Sequence, residues 1–390
     1  MVTLEQAIAL IDRMRGQFYS GLPAEEIPVE SAVGRRLAAD AISRARAPSY
    51  DLCTMDGYAL NTADGYPLKI AGEAFAGRGF RRMVRGEAVY VTTGAMLPAG
   101  ADAVLRVEDA ILTGDMLNGP PLKPGTFVVR AGADFREGDT LLNKGCQVTP
   151  AMAGVFSVAR IDRLQAYMKP RVAVIATGDE IRDGTVADTN GPMACALLDA
   201  WGCVPERMRP AGDSRDELSQ AVAAALRDHD IAITIGGVSR GKKDLVASVA
   251  EGGELVFKGV RVSPGKPFIA SYVDGKPVFS LPGKPSGSYA AMELLVKRFV
   301  LGATNGHRMS VPVSRDVELQ APGFDYIVFV ELREGKAQPL GYEGSSISLF
   351  SGPEYSTSQL STSARTVFSD GYFIARDPVK AGQPVMINLF

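Results

Sequence analysis

Carboxylates, lysines and hydroxyls gather on glycine-rich turns in the middle of this 390-residue chain. The turns are Thr177-Gly178-Asp179-Glu180, Asp188-Thr189-Asn190, the Gly236-Gly237-Val238-Ser239 loop that runs on to Lys242, Lys243 and Asp244, Pro264-Gly265-Lys266, and Pro282-Gly283-Lys284, with Asp213 between two of them. Backbone N–H groups on such turns, and the positive end of a following helix, hold phosphates and other oxyanions. Carboxylates beside them would repel an anion unless a divalent cation intervened. Mixed acids and lysines therefore point to a metal-bridged phosphoryl or oxyanion substrate. A hydride-transfer pocket would want G-x-G-x-x-G after a strand, and no such fingerprint is present. Taken singly, each acid is more often a cap or a surface ion-pair partner.

Two apolar runs must carry these turns. Val172, Val174 and Ile175, between Pro170 and Gly178, lack the alternation of a half-buried strand and read as a strand covered on both faces. Ile231 to Ile235 repeats the unit and breaks at Gly236-Gly237. Helical spacing lies between and around them: Met193, Leu197, Leu198 and Trp201 after Asn190, then Leu218, Val222, Ala225 and Leu226 behind a Ser214-x-x-Glu217 capping box. A strand is expected near 204–209, a helix from Asp244, strands around 256–262 and 268–281, and a closing helix over 287–301. Strands alternating with helices imply a parallel sheet whose ligand crevice lies outside the strands' carboxyl ends, so the polar tips should face one pocket.

Only two histidines exist, His229 and His307, both read as solvated, which excludes a His-rich zinc site and a histidine-centred triad. Any metal should be hard and oxygen-bound, such as magnesium. Cys53, Cys146, Cys195 and Cys203 form no C-x-x-C pair and read as buried free thiols. A formal net charge of −2 offers no basic field for nucleic acid or an anionic membrane, so the expected partner is a small molecule. Glu5 and Asp12 interrupt the first apolar pattern, and no run approaches a membrane span, so a cytoplasmic protein is expected.

The chain is long enough for two to four domains. Thr3-x-x-Gln6 opens a helix whose end is expected at Gly16. Asp56-Gly57 reads as a turn feeding a strand. From 68 to 129 short strands alternate with Gly and Pro turns, and the Arg78, Arg81, Arg82 and Arg85 group there reads as a solvated face, with contact to an anionic ligand or a second subunit as the minority reading. Glycines at 132, 138 and 145 precede a helix near Pro150 to Val158, and Lys169-Pro170 marks a boundary. Alternating runs from Val311 to Phe390 read as a separate small barrel or sandwich, in which the Ser/Thr-rich stretch 344–363 is most simply a surface loop.

Read in order, MDGYA (55–59), TGA..P.GADAV (93–104) with Glu108, R.G.D (130–134), TGDE (177–180), DTN (188–190), GGVS (236–239), PGKPF (264–268) and LPG.P (281–285) resemble the molybdopterin molybdenumtransferases, the group of MoeA and the gephyrin E domain. Each motif is short, but the ordered series spans nearly the whole chain. The resemblance implies a multidomain α/β plus β protein. Its parts would be an elongated mixed dimerisation domain (1–48 and 134–169), a β-rich domain (49–133), a central three-layer MogA-like α/β domain with a mostly parallel sheet (170–306), and a C-terminal β-barrel (307–390). It implies a cytoplasmic homodimer, with contact to a MogA-like adenylyltransferase, that takes adenylylated molybdopterin and molybdate and, with Mg2+ or another divalent metal, inserts molybdenum and releases AMP. Carried over by position, the catalytic residues are Asp56, Thr93, Asp134, Glu180, Asp213, Asp244 and Lys266, with Glu180 and Asp244 on the metal. Substrate binding falls on Thr177, Gly178, Asp188, Asn190, Gly236, Gly237, Ser239, Pro282, Gly283 and Lys284.

The chain departs from the usual pattern on these same loops. Ser263 stands before PGKP where a lysine is usual, Arg240, Lys242 and Lys243 replace neutral and acidic positions, Lys284 replaces an asparagine, and Leu52 replaces another. One reading is relocated charge, with Lys284 or Lys242 supplying the lost cation. The other is a non-catalytic or altered-specificity relative, a pterin-binding scaffold or an enzyme for tungstate.

Overall fold

A computed structural model describes residues 1–77, 82–237, 253–303 and 306–390. The chain divides into two units, Met1–Pro23 with Met168–Phe390, and Ala24–Tyr167. The stretch read as one segment over 1–48 thus parts at Pro23.

The first unit is built on a six-stranded sheet in the order Val204–Arg207, Arg171–Ala176, Ile231–Ile235, Lys276–Leu281, Ile269–Val273, Glu254–Lys258. The first four run parallel, with Val174 opposite Ile233 and Ile233 opposite Phe279; the last two are antiparallel. Continuous apolar strands are what burial on both faces requires. Val172 and Val174 face one core with Leu198, Trp201 and Phe299, while Ala173 and Ile175 face another with Leu218, Val222 and Leu226 of helix Arg215–Asp228. Truncating a fully buried residue such as Ile233 to alanine would cost about 2–5 kcal/mol.

Several local expectations are corrected by packing. The first helix keeps its capping box but runs Leu4–Gly21, through Gly16. A mid-helix glycine costs only ~1 kcal/mol, and Tyr19 beyond it is buried, its hydroxyl donating to Val300 O at 2.9 Å. Ser214 precedes helix Arg215–Asp228 but its side chain makes no cap bond; Glu217 instead accepts the Gly212 N–H at 3.1 Å. The span 268–281 is a hairpin, because Asp274 and Gly275 both take positive φ between the two strands. His229 is 4% exposed, with Nδ1 2.9 Å from Ala225 O and Nε2 3.1 Å from Glu206 Oε2. The four thiols are free, but only Cys53 and Cys203 are buried; Cys195 is half-buried and Cys146 exposed. The expected helix from Asp244 lies outside the described residues.

The C-terminal part of this unit is a curled sheet in the order Val262–Ser263, Asp325–Arg333, Gly371–Ala375, Pro384–Leu389, Arg308–Pro312, with Lys336–Pro339 also paired to Asp325–Arg333. A bridge from Val313 to Ala337 brings the sheet back toward its own start. Ser263 pairs with Tyr326, so the chain entering the Pro264-Gly265-Lys266 turn is anchored on this sheet. The stretch 344–363 is not simply a surface loop. Tyr355, Thr357, Leu360 and Ser361 are buried, because Tyr355 and Leu360 belong to the same core as Phe329.

In the second unit a six-stranded sheet runs Ala103–Arg106, Gly57–Leu60, Glu87–Val91, Leu68–Ala74, Met116–Asn118, Ile111–Thr113. A separate core gathers Leu37, Val148, Phe156 and Leu164 around the Ala24–Pro28 and Arg163–Tyr167 ladder and helix Pro150–Val158. That helix turns Val155 and Val158 outward, 41% and 58% exposed. Of the arginine group, Arg78 and Arg81 lie outside the described residues; Arg82 is exposed and Arg85 sits 3.6 Å from Asp64.

Candidate functional site

Three neighbouring parallel strands end in glycine turns at the same edge. Thr177-Gly178 follows Arg171–Ala176, Gly236-Gly237 follows Ile231–Ile235, and Pro282-Gly283-Lys284 follows Lys276–Leu281. The ladder continues into them, as the Thr177 N–H donates to Ile235 O at 2.9 Å and the Gly236 N–H to Leu281 O at 3.0 Å. Glycine is required at two of these points. Gly178 has φ +131, and a Cβ there would lie 2.7 to 2.9 Å from the Glu180 carboxylate atoms; Gly236 has φ +101, and its Cβ would meet Thr177 Oγ1 at 2.6 Å.

The turns floor a cleft of about 1210 Å³. Glu180 and Asp213 line it, and neither carboxylate has a hydrogen-bond or ion-pair partner among the described residues. Asp188 also lines the cleft but accepts the Gly191 N–H at 2.8 Å, opening helix Asn190–Ala200. Asn190, 6% exposed, donates through Nδ2 to Gly283 O at 2.8 Å, and its Oδ1 is buried without a partner among the described residues. Lys266 also lines the cleft, its ammonium 5.2 Å from the centre of the Phe324 ring, while Lys284 is exposed and makes no ion pair among the described residues.

Thr177, Gly178, Glu180, Asp188, Asn190, Asp213, Gly236, Gly237, Lys266, Pro282, Gly283 and Lys284 thus border one cleft. Asp56, Thr93 and Asp134 belong to the other unit. There Asp56 Oδ1 accepts the Thr93 N–H at 2.7 Å and its hydroxyl at 2.9 Å, and these bonds hold the Asp56 carboxyl below its ordinary value. Asp134 is exposed and held by its backbone, N–H to Ala47 O at 2.9 Å. Ser239, Arg240, Lys242, Lys243 and Asp244 lie outside the described residues. Among the described residues no group of three or more His, Cys, Asp or Glu could hold a metal.

Sequence reasoning missed part of the wall. Lys258 and the hydroxyl-bearing residues Thr357, Ser358 and Ser361 also line the cleft. Ser263 Oγ lies 2.6 Å from Thr357 Oγ1, tying the lysine turn to the C-terminal segment. The signal was the density of Ser and Thr in 344–363, which a solvated loop explains equally well.

A doubly covered, mostly parallel sheet with its ligand cleft at the strands' carboxyl ends defines a three-layer α/β binding domain, here joined to β-rich domains. Residues 173–301 match a family described as "Probable molybdopterin binding domain", and residues 2–159 match "MoeA N-terminal region (domain I and II)". Molybdopterin molybdenumtransferase of Haemophilus influenzae is 32% identical over 314 residues, 77% of each chain. Its counterpart in Staphylococcus aureus strain COL is 32% identical over 297 residues, 71% of each. Two structures of molybdopterin biosynthesis MoeA protein from Pyrococcus horikoshii superpose on the whole chain, one at 28% identity and TM-score 0.72, covering 99% of that chain, the other at 24% and 0.77, covering all of it. The chain belongs to the molybdopterin molybdenumtransferase family.

Proposed function

We propose that this chain is a transferase of molybdenum cofactor biosynthesis, which takes adenylylated molybdopterin and molybdate, inserts molybdenum into the dithiolene and releases AMP. The observation that carries this reading is the cleft itself: three glycine turns, two unpaired carboxylates and the lysines 258, 266 and 284 around one space large enough for a pterin nucleotide. The first two turns spend the amides of Gly178 and Gly236 on Ala211 O and Leu281 O, leaving those of Gly237 and Gly283 to meet an anionic substrate. Lys266 and Lys284 would add positive charge to the same cleft, and Asn190 Oδ1, buried and without a partner among the described residues, would accept a hydrogen bond from a substrate N–H.

Glu180 and Asp213, both oxygen donors without a partner among the described residues, fit a hard divalent cation such as Mg2+, with Asp244 as the other expected ligand. When bound, it would neutralise charge between the acids and an oxyanion. We read the protein as a cytoplasmic homodimer in which Asp56, Thr93 and Asp134 of one copy complete the cleft of the other. The outward apolar residues Val155 and Val158 of helix Pro150–Val158 are in keeping with a subunit contact. The test is turnover of adenylylated molybdopterin with molybdate and magnesium by wild type and by Glu180→Gln. Molybdenum insertion and AMP release by the wild type, lost in the variant, is the expected result. Tight pterin binding without turnover in the wild type would make it a binding protein instead.

A further inference from the structure

The two unpaired acids of the cleft, Glu180 and Asp213, stand on separate loops, and one arginine joins those loops. Arg182 closes the short helix Asp179–Arg182 and reaches Asp179 Oδ1 at 2.7 Å, Glu217 Oε2 at 3.1 Å and Asp183 Oδ1 at 3.3 Å. Two of these carboxylates hold the neighbouring loop by its backbone. Glu217 Oε2 accepts the Gly212 N–H at 3.1 Å, and Asp179 Oδ1 accepts the Asp213 N–H at 3.3 Å. The contact is close-fitted: a side chain at Gly212 would run into Arg182 and Glu217 and meet Asp179 Oδ1 at 2.8 Å. Arg182 itself is absent from the cleft lining, whereas Glu180 and Asp213 on either side of it are present.

We propose that Arg182 is a positioning residue, which neutralises Asp179, Asp183 and Glu217 so that Asp179 and Glu217 can fix the Asp213 loop against the Glu180 turn. This rests on the proposed function only for its turnover arm. Without the guanidinium, Asp179 and Glu217 are left together beside Gly212, with Asp183 also stripped of its arginine, and like charges at such spacing repel. The loop would then move away from Asp179, carrying Asp213 with it. A flexible lysine could satisfy one of these acids but not the planar fork of contacts, so it is not an equivalent replacement.

The test uses the full-length chain with Arg182→Met, Arg182→Lys and the double variant Arg182→Met/Asp179→Asn. Asparagine keeps an oxygen to accept the Asp213 N–H while removing one negative charge. Hydrogen exchange at Gly212 and Asp213 should accelerate about tenfold in Arg182→Met while the rest of the sheet is unchanged, and turnover should fall about tenfold, ~1.4 kcal/mol in the barrier. Arg182→Lys should lie between, and the double variant should recover much of both losses, a rescue that a general packing defect would not give. Unchanged exchange at Gly212 and Asp213, or faster exchange with unchanged turnover, overturns the proposal. If Arg182→Met is globally unfolded, the folded Arg182→Lys variant decides by the same two readouts. A wild type that inserts no molybdenum refutes the function, and the exchange results alone then decide the clamp.

Discussion

Replacing Asn190 by aspartate changes one atom type at the base of the cleft, and its cost can be worked out. In the wild type the Nδ2 group, inside a residue only 6% exposed, donates to Gly283 O at 2.8 Å. An ionised carboxylate has no proton to give, so the bond, about 1 kcal/mol, is lost. Two oxygens also face each other away from water, which adds about 1–3 kcal/mol. The start of helix Asn190–Ala200 favours a negative charge by only ~0.3–1 kcal/mol, too little to cancel this. The net loss of about 1–4 kcal/mol should lower the melting temperature of the first unit by ~2–15 °C near pH 7.5. A protonated carboxyl can donate to Gly283 O again, so the folded state raises this group's pKa above its unfolded value of about 3.9. The penalty is therefore small below that value and grows as pH rises through the folded pKa. Calorimetry of wild type and Asn190→Asp at pH 4.5 and 7.5 should show the smaller deficit at the acid pH. Equal deficits at both, or none, would refute the reasoning that this bond holds the Gly283 turn.

Gly178→Ala should leave expression intact but lose about 1–3 kcal/mol to the strained φ, with turnover reduced further because the methyl displaces the Glu180 carboxylate; unchanged turnover would contradict the Gly178–Glu180 contact. In Asp56 the Thr93 N–H and then its hydroxyl depress the carboxyl pKa, so the charged form is kept above the unfolded pKa and lost as pH falls through the folded one. Thr93→Val removes only the hydroxyl, and the acid limb of activity, or the Asp56 titration by NMR, should move to higher pH. Mixing Asp56→Asn chains with Asp213→Asn chains should restore part of the lost activity if sites are shared between copies, and sedimentation as a monomer would end that idea. Lys284→Met should weaken molybdate binding at least about tenfold, ~1.4 kcal/mol; calorimetric titration showing equal affinity would make Lys284 an idle turn residue.

The strands and turns of the α/β region were legible because continuous apolar runs stopped by glycine leave few alternatives. Arg171–Ala176 and Ile231–Ile235 fall where Val172-Ala173-Val174-Ile175 and the Ile231 run put them. Helix ends were less legible: Gly16 looks like a stop, and only the distant Val300 carbonyl, which takes the Tyr19 hydroxyl, shows why the helix continues. The Ser214 box failed for a related reason, since Glu217 had a stronger partner in Arg182, 35 residues earlier in sequence. The serine and threonine wall of the cleft was hidden because nothing local distinguishes a hydroxyl that faces solvent from one that faces Ser263. Contacts between segments far apart in the chain are what periodicity and spacing do not carry.

The division of the chain at Pro23 and Met168 has a consequence for how the protein is made. The Met168 N–H donates to Pro23 O at 2.8 Å, so the chain leaves and re-enters the first unit at one point, and everything between is an excursion. The first helix emerges from the ribosome with Leu4, Ala7, Ile11 and Met14 along one stripe, but the strand Lys276–Leu281 and the Phe299 helix that pack on it are made only long after the intervening unit. At ~5–20 residues per second, that stripe waits roughly 15–60 s for its partners. During this interval the intervening unit can fold as a self-contained insertion. The nascent helix would be an exposed greasy ribbon and a natural substrate for holdase chaperones, and slowed synthesis after residue 168 would prolong its vulnerability.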